Sequence, residues 1–376
     1  MNLNKQKNIP VLRPTIDLQT EKELIKVLRS GWWGNGPKVL EFEKKFAKYV
    51  GVKFAVAVNS CTSALDLCLK VYDIKGGELI TTPMTFVSDA IVGEWNDMDI
   101  TFADIDPLTL CIDPKAIKIT PQTKAIIAVD SHGRLADIQG IQKRIAAYTD
   151  GSTRPLIIED AAHAMYTPGA GKYADITVWS FQAVKSLPTG DGGMITTNDE
   201  TIAKKLKGMI WLGVEKSTYD RVGQSYTWDY DITHGGQKSY MIDLTAVIGL
   251  GNLRRLDKTN ARRREIQTNY NHAFLGKEWF HKLQDSFTVQ YYTQCFQNRD
   301  KLGEYLATKG ITTSVHFKPL HLMTYYKKYK KYPLPVTDWI WPQLLSLPCH
   351  NALTHVDQDL IIKSVLEFYA DFANWK

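Results

Sequence analysis

The fold is decided by residues 155–197, whose sequence is PLIIEDAAHAMYTPGAGKYADITVWSFQAVKSLPTGDGGMITT. Three short apolar runs in this stretch are separated by turn-forming residues: PLIIED at 155–160, ITVWSF at 176–181 and GMITT at 193–197. Runs of this length, bounded by glycine and proline, are typical of strands that are buried on both faces. The stretch therefore predicts three strands of a sheet that helices cover on both sides.

Three further runs of the same kind come earlier and alternate with amphipathic stretches: FAVAV at 54–58, ELITT at 78–82 and AIIAVD at 125–130. Strands that alternate with helices predict β-α units. We therefore expect an α/β fold, with a three-layer large domain built on a mostly parallel central sheet. Ligands of such sheets bind at the carboxyl ends of the strands, so the polar residues that end each run are candidates for one site.

The pattern changes in the last third of the chain. It is helical from Asp243 to Lys282, and three more predicted elements follow: a strand at 287–296, a helix at 299–310 and a last helix at 357–372. The length of 376 residues favours two domains. We predict a large domain over residues 1–250 and a smaller C-terminal α+β domain over residues 251–376, with a long helix between them.

Composition and charge exclude several classes of protein. The net charge of +6 is mild, and two basic runs, at 262–264 and 327–331, are typical of solvated faces or of sites that attract an anionic small molecule. The five cysteines are scattered without a CxxC pair, which argues against a disulfide framework or a zinc site. With no signal-peptide pattern and no long apolar stretch, we expect a cytoplasmic protein without a metal, a nucleic acid or a membrane as partner.

Lys185 lies just after the predicted strand at 176–181 and before a glycine-rich turn, GDGG at 190–193. A lysine at this end of a buried strand can point into the crevice at the edge of the sheet. Partial burial lowers the pKa of such an amine and leaves the neutral form, which can make a Schiff base with a carbonyl. A lone lysine there is more often a surface loop residue, so the interpretation depends on its neighbours in the fold.

Other segments supply groups for the same crevice. Asp160 ends PLIIED and can pair with a cationic ring nitrogen of a cofactor, although it can also cap a helix that starts at Ala161. The segment NSCTSAL at 59–65 places amides and hydroxyls at a helix N-terminus, which suits a phosphate as well as it suits capping alone. Ser180 can add a hydroxyl to that phosphate, and Phe86 can stack on a ring or pack in the core.

Ten segments, taken together, resemble one known family. In chain order they are IPVLRPTI (9–16), SGWWGNGPKVLEFEKKFAKYVG (30–51), NSCTSALDL (59–67), TTPMTFVSDA (81–90), FADIDPLTLCIDP (102–114), HGRLADIQGI (132–141), IIEDAAHA (157–164), SFQAVKSLPTGDGGMITTND (180–199), SVHFKPLHLMTYY (314–326) and LLSLPCHNALTHVDQDLII (344–362). The chain resembles, nearly end to end, the DegT/DnrJ/EryC1/StrS family of sugar aminotransferases. That resemblance implies pyridoxal 5'-phosphate (PLP) as cofactor and the aspartate-aminotransferase fold, fold type I.

The resemblance implies a role for each residue that matches a family motif. Lys185 would carry PLP as a Schiff base and shuttle protons between the cofactor and the carbon that bears the amino group. Asp160 would pair with the pyridine nitrogen of the cofactor. His163 would lie near the phenolic oxygen, unless it is only a satisfied histidine at a helix start. Phe86 would stack on the ring.

The phosphate of the cofactor has its own set of matching residues. The resemblance implies that Cys61, Thr62 and Ser180 hold it, and that Asp191 shapes the turn behind Lys185. At Tyr240 the family commonly has an asparagine that reaches the phosphate of the partner subunit's cofactor, so this contact is in question. Leu212, where a histidine is usual, indicates a branch of the family rather than a lost function.

The resemblance also implies the substrates. L-glutamate would donate the amino group, pyridoxamine 5'-phosphate would be the intermediate form of the cofactor, and a nucleotide-linked 3-keto or 4-keto deoxysugar would accept it. The candidate acceptor-binding residues are Trp33, Asn35, His316 and His321, and we favour His316 over His321. A homodimer with a shared active site is implied as well, and aromatic residues such as Trp228 are of the kind that interfaces favour.

Three alternatives remain open at this point. The acceptor can instead be a keto sugar without a nucleotide, an eight-carbon keto acid sugar or a cyclitol. A PLP-dependent sugar 3-dehydratase is disfavoured, because those enzymes carry histidine in place of the Schiff-base lysine. A PLP-binding regulator without turnover would not need the Lys185–Asp160 pair or the phosphate site.

Overall fold

The computed structural model describes residues 8–148, 154–214 and 230–373. Its main sheet has seven strands: β1 (Phe54–Val58), β2 (Glu78–Thr81), β3 (Asp99–Phe102), β4 (Thr123–Val129), β5 (Leu156–Asp160), β6 (Ile176–Ser180) and β7 (Gly193–Thr197). Their order is β1-β7-β6-β5-β4-β2-β3. β7 is antiparallel to both of its neighbours, and the other pairs of neighbours are parallel. The mostly parallel α/β sheet is therefore confirmed.

Helices cover both faces of this sheet: α1 (Leu18–Ser30), α2 (Pro37–Val50), α3 (Cys61–Val71), α4 (Ser88–Trp95), α5 (Ile138–Ala146) and α6 (Glu200–Met209). Successive residues of a strand point to opposite faces. In β6, Val178 packs in a cluster with residues of α3, whereas Trp179 packs in another cluster with residues of α2. Every residue of β5, β6 and β7 is buried, as the unbroken apolar runs predict. The large part of the chain thus has three layers.

The predicted long helix is two helices, α7 (Asp243–Arg254) and α8 (Leu256–Phe274). They are separated at Arg255, whose φ of −111° and ψ of 8° are not helical. The elements that follow are a small antiparallel sheet of β8 (Phe280–His281), β9 (Tyr292–Phe296) and β10 (Leu344–Leu347), together with α9 (Arg299–Thr308), α10 (Pro335–Ile340) and α11 (His355–Ala373). The predicted strand at 287–296 is shorter than expected, because pairing begins only at Tyr292.

Two hydrophobic clusters show how the parts of the chain pack. The cluster around α8, β9 and α11 includes Ile9, which forms a bridge with Ile311. Conversely, Leu320 and Tyr326 pack with the cluster that covers one face of the main sheet. The division at residue 250 stays a prediction, since the chain crosses between the two clusters in both directions. In the described part of the chain, none of the helices combines the length and apolar character that a bilayer crossing requires.

The pairing of strands brings the ends of four of them to one edge. Gly193 at the start of β7 pairs with Val58 at the end of β1 and with Ser180 at the end of β6. Asp160 at the end of β5 pairs with Val129 of β4 and with Val178 of β6. The residues that follow β1, β4, β5 and β6 therefore emerge side by side. This edge contains the candidate site.

Candidate active site

Lys185 lies in a tight turn that follows β6. Its amide donates a hydrogen bond to the carbonyl of Gln182 (2.8 Å), and the amide of Thr189 closes the turn on the carbonyl of Phe181 (2.7 Å). The Lys185 side chain is partly buried. Burial lowers the pKa of its amine, while the charges of Asp160 and Asp89 partly oppose that shift. A lysine with a lowered pKa has more of the neutral form that reacts with carbonyls.

Asp160 is a buried carboxylate opposite Lys185. It accepts a hydrogen bond from the amide of Ala162 (2.9 Å), and the thiol of Cys61 lies 3.9 Å from its Oδ1. Residues 161–165 form turns, so no helix starts after Asp160 for it to cap. Burial raises the pKa of Asp160, and the Ala162 amide and the Lys185 charge oppose this shift. The interaction between the two side chains favours the charged form of each, against the effect of burial.

The N-terminus of α3 forms a cradle next to these two residues. The Ser60 hydroxyl caps the helix by accepting from the amide of Ser63 (3.1 Å). The amides of Cys61 and Thr62, at the first two positions of the helix, have no intrahelical acceptor and suit an anion. A Cβ at Gly193 would lie 2.8 Å from the Cys61 nitrogen, so only glycine lets β7 approach this helix end. Ser180 pairs with the same Gly193, which places it beside the cradle.

Aromatic rings form another part of the site. The ring of Phe86 is 58% exposed, so Phe86 is not a core residue. It lies 6.1 Å from the ring of Phe317, which in turn stacks on the buried ring of His163 at 5.8 Å. The amide of His132 donates to Nδ1 of His163 (3.4 Å), which leaves the proton of a neutral His163 ring on Nε2.

Three histidines near Lys185 are neutral. Burial lowers the pKa of His132 and His163 well below the ordinary value and that of His316 to about 3, and the charge of Lys185 adds to each shift. His132 Nε2 donates to the carbonyl of His316 (2.8 Å), and His316 Nδ1 lies 2.8 Å from the hydroxyl of Ser346. These histidines can therefore donate or accept single hydrogen bonds without adding charge.

Two residues of this site were not among the sequence candidates. His132 follows β4, and the segment HGRLAD that contains it matched the family pattern, but its contact with His316 joins residues 184 positions apart. Asp89, in the first turn of α4, is fully buried and close enough to Asp160 to interact with it. The polar end of TTPMTFVSDA was the available signal for Asp89, but the sequence pattern does not indicate that it faces another acid.

Other predicted residues lie outside this group. His321 is buried, with Nε2 2.7 Å from a carboxylate oxygen of Asp338. The Trp33 ring is 55% exposed and its indole donates to the carbonyl of Leu28 (3.0 Å). Asn35 donates to the carbonyl of Met241 (3.3 Å), and Met241 packs beside Gly192 of the turn that follows Lys185. Asn35 is thus tied to the site indirectly.

The remaining candidates concern the turn and the family departures. Asp191 Oδ1 accepts from the amide of Gly192 (2.9 Å), and its carbonyl accepts from the hydroxyl of Thr189 (2.7 Å), so Asp191 stabilises the turn. The Tyr240 ring packs edge-on against Trp211 at 4.8 Å in the same chain. Leu212 has a left-handed φ of 59° and an exposed side chain. Trp228 lies outside the described residues.

Comparisons with known proteins find sugar aminotransferases among the similar chains. The DegT/DnrJ/EryC1/StrS aminotransferase family matches residues 14–366. The spore coat polysaccharide biosynthesis protein SpsC of Bacillus subtilis is 38% identical, over 95% of this chain and 96% of its own length. The sugar aminotransferase CalS13 from Micromonospora echinospora has a TM-score of 0.87 and 27% identity, over 95% of this chain and 99% of that chain. The sugar aminotransferase Spr1654 from Streptococcus pneumoniae, solved in a PMP-form, has a TM-score of 0.88 and 29% identity, over 95% of this chain and 98% of that chain.

The His316 ring should stay neutral across the physiological range. Because its pKa is lowered to about 3, its ring nitrogen resonances should not move between about pH 8 and about pH 5 in the protein without added cofactor. The Lys185→Met variant removes a positive charge, so the pKa of His316 should rise. It should remain below 6.5, because burial is the larger cause of the lowered pKa. The measurement is NMR of protein labelled with ¹⁵N at histidine, with the exposed His272 as a reference resonance. A His316 midpoint near 6.5 in the unmodified protein would contradict this burial.

Proposed function

The chain belongs to the DegT/DnrJ/EryC1/StrS aminotransferase family, and on this premise we propose that it transfers an amino group from L-glutamate to the keto group of a nucleotide-linked deoxysugar. It is an enzyme, a PLP-dependent sugar aminotransferase with the fold of its structural neighbours. The observation that carries the transfer chemistry is the position of Lys185, a partly buried amine of lowered pKa near the buried carboxylate of Asp160.

The residues at the edge of the sheet fit PLP in their chemistry. The amides of Cys61 and Thr62 and the hydroxyl of Ser180 would hold the phosphate, because the missing side chain of Gly193 leaves these groups side by side. Asp160 would face the pyridine nitrogen, as the acid that keeps a proton on that atom. PLP held there by Lys185 would supply an electron sink that stabilises negative charge on the reacting carbon during the transfer of the amino group.

Lys185 would also move the proton. Because its pKa is lowered, the neutral amine of Lys185 would take a proton from the carbon that bears the nitrogen and return it elsewhere. His163 would orient the ring, since its Nε2 carries the proton that an oxygen acceptor needs. Phe86 would stack on the cofactor ring, because its side chain is exposed and can be covered by a bound ligand.

The charges beside Lys185 favour a donor with carboxylates. A small cleft is lined by Lys185, Arg13, Arg255 and Arg263, together with Asn351. Guanidinium groups bind carboxylates with paired hydrogen bonds, so the positive charges near Lys185 favour a dicarboxylate donor such as L-glutamate. Arg263 is buried and donates to the hydroxyl of Ser186 (3.2 Å), which ties this charge to the residue after the lysine.

For the acceptor we propose a keto deoxysugar linked to a nucleotide, contacted by Trp33, Asn35 and His316. We place His316 before His321, because His316 is close enough to Lys185 to sense its charge, whereas His321 is paired with Asp338. The function in polysaccharide biosynthesis that its name gives SpsC fits an acceptor of this kind. We also propose a homodimer with a shared active site, as in the family that the chain belongs to. Within its own chain Tyr240 forms a bridge with Val58, which precedes α3.

Lys185→Ala should abolish the absorbance band of the lysine-bound cofactor and lower the rate of amino transfer by at least about a hundredfold, because it removes both the attachment point and the base. The measurements are the near-visible spectrum after incubation with PLP and the rate of 2-oxoglutarate formation from L-glutamate. Lys44→Ala, on the exposed face of α2, is the matched control and should change neither. An unchanged band in Lys185→Ala would refute the assignment.

The nucleotide should contribute to recognition of the acceptor. With L-glutamate as donor, we expect kcat/KM for a nucleotide-linked keto deoxysugar to exceed that for the same sugar without the nucleotide by at least about tenfold, because remote binding energy is used in the transition state. The measurement is 2-oxoglutarate formation with each acceptor. Equal values, or turnover only with free keto sugars, eight-carbon keto acid sugars or cyclitols, would show that the nucleotide-linked acceptor is wrong.

A further inference from the structure

Two carboxyl groups meet behind the candidate site, although only one of them is expected from the resemblance. Asp89 is fully buried in the first turn of α4, and its carboxyl group is close enough to that of Asp160 for the two to interact. Its Oδ2 accepts from the hydroxyl of Thr85 (2.5 Å). Among the described residues its Oδ1 is buried and has no hydrogen-bond donor as a partner. Two buried carboxylates in contact cannot both be ionised.

The contacts decide which of the two acids holds the proton. Asp160 receives the amide of Ala162 and the thiol of Cys61 and faces the charge of Lys185, all of which favour its ionised form. Asp89 has the hydroxyl of Thr85 and a weaker attraction to Lys185. The position of Asp89 at the start of α4 favours its ionised form by less than about tenfold. Burial and the neighbouring anion have a larger effect in the opposite direction. Burial and Asp160 accordingly raise the pKa of Asp89 well above its ordinary value.

We propose that Asp89 is a positioning residue, a protonated acid that donates its hydrogen bond to Asp160 and holds that carboxylate as a single, oriented negative charge. This rests on the proposed function in one respect, namely that Asp160 faces the pyridine nitrogen of PLP. A carboxylate that accepts a hydrogen bond is a weaker base. Asp89 would therefore help to keep the proton on the ring nitrogen rather than on Asp160.

A second pair of acids offers a matched control. Asp130, which follows β4, is fully buried and interacts with Glu159, and its Oδ2 lacks a donor among the described residues. Glu159 and Asp160 are consecutive in β5, so their side chains point to opposite faces of the sheet. Asp130 therefore shares the chemistry of Asp89 but not its position behind the site.

The shared proton can be tested without any cofactor. A carboxyl group whose pKa is raised on folding makes the folded state bind more protons than the unfolded state. Its contribution to stability therefore falls as the pH rises from its pKa in the unfolded state to its pKa in the folded state. For Asp89→Asn relative to the unmodified chain, the folding equilibrium constant should therefore rise with pH above about 4, by up to about tenfold per unit. The measurement is urea unfolding of the full chain, dialysed free of cofactor, from about pH 5 to about pH 8. If the ratio of the folding equilibrium constant of Asp89→Asn to that of the unmodified chain stays flat or falls with pH, Asp89 does not hold a proton and the proposal is wrong.

The positioning role is tested by affinity for PLP. Asparagine can still donate to Asp160, so Asp89→Asn should bind PLP within about threefold of the unmodified chain, and Asp89→Ala, which cannot donate, should bind about tenfold more weakly or worse. Asp130→Asn should match the unmodified chain, and Asp160→Asn should lose affinity. Weak binding by Asp89→Asn, equal to that of Asp160→Asn, would show that Asp89 acts as a charge and would overturn the proposal, as would unchanged binding by Asp89→Ala.

The two measurements separate two kinds of failure. If the unmodified chain binds no PLP, the proposed function fails, but the unfolding experiment still decides whether Asp89 holds a proton. If PLP binds and the stability ratio is flat, the proposed function stands and the inference about Asp89 is wrong.

Discussion

The close approach of β7 to the N-terminus of α3 is the constraint on which the candidate site depends. Gly193 pairs with Val58 on one side and Ser180 on the other, and any side chain at this position would collide with the backbone of Ser60 and Cys61. The absence of that side chain lets the helix end, the end of β6 and the turn that carries Lys185 share one edge. A parallel sheet alone would bring strand ends together, but not this closely.

Burial sets the charges within the site. It disfavours ionised forms, and in this crevice it lowers the pKa of Lys185 and of three histidines and raises the pKa of Asp89. Asp160 keeps the contacts that favour an anion, namely an amide, a thiol and the lysine charge. The site thus holds a carboxylate whose contacts favour the anion beside an amine that can lose its proton, and the three nearby histidines add no charge. Strongly shifted groups of this kind are common where catalysis takes place.

Much of this could be predicted from the sequence, because the informative features are local. Six strands were predicted from continuous apolar runs. The position of Lys185, Asp160 and Ser180 near the ends of those runs made them candidates, and the family resemblance gave each of them its role. β3 was not predicted, since its four residues, DITF, mix polar and apolar side chains. The break at Arg255 was missed because nothing in a continuous helical pattern marks it. The contact between His132 and His316, and that between Asp89 and Asp160, join residues far apart in the chain and need the fold itself.

The central claim is that Lys185 is the residue to which the cofactor binds covalently. Reduction of the PLP-treated protein with borohydride, followed by proteolysis and mass spectrometry, makes that link permanent and locates it. The account predicts that the cofactor mass lies on the peptide that contains Lys185 and on no other lysine peptide. A modified peptide elsewhere, with the Lys185 peptide unmodified, would contradict it.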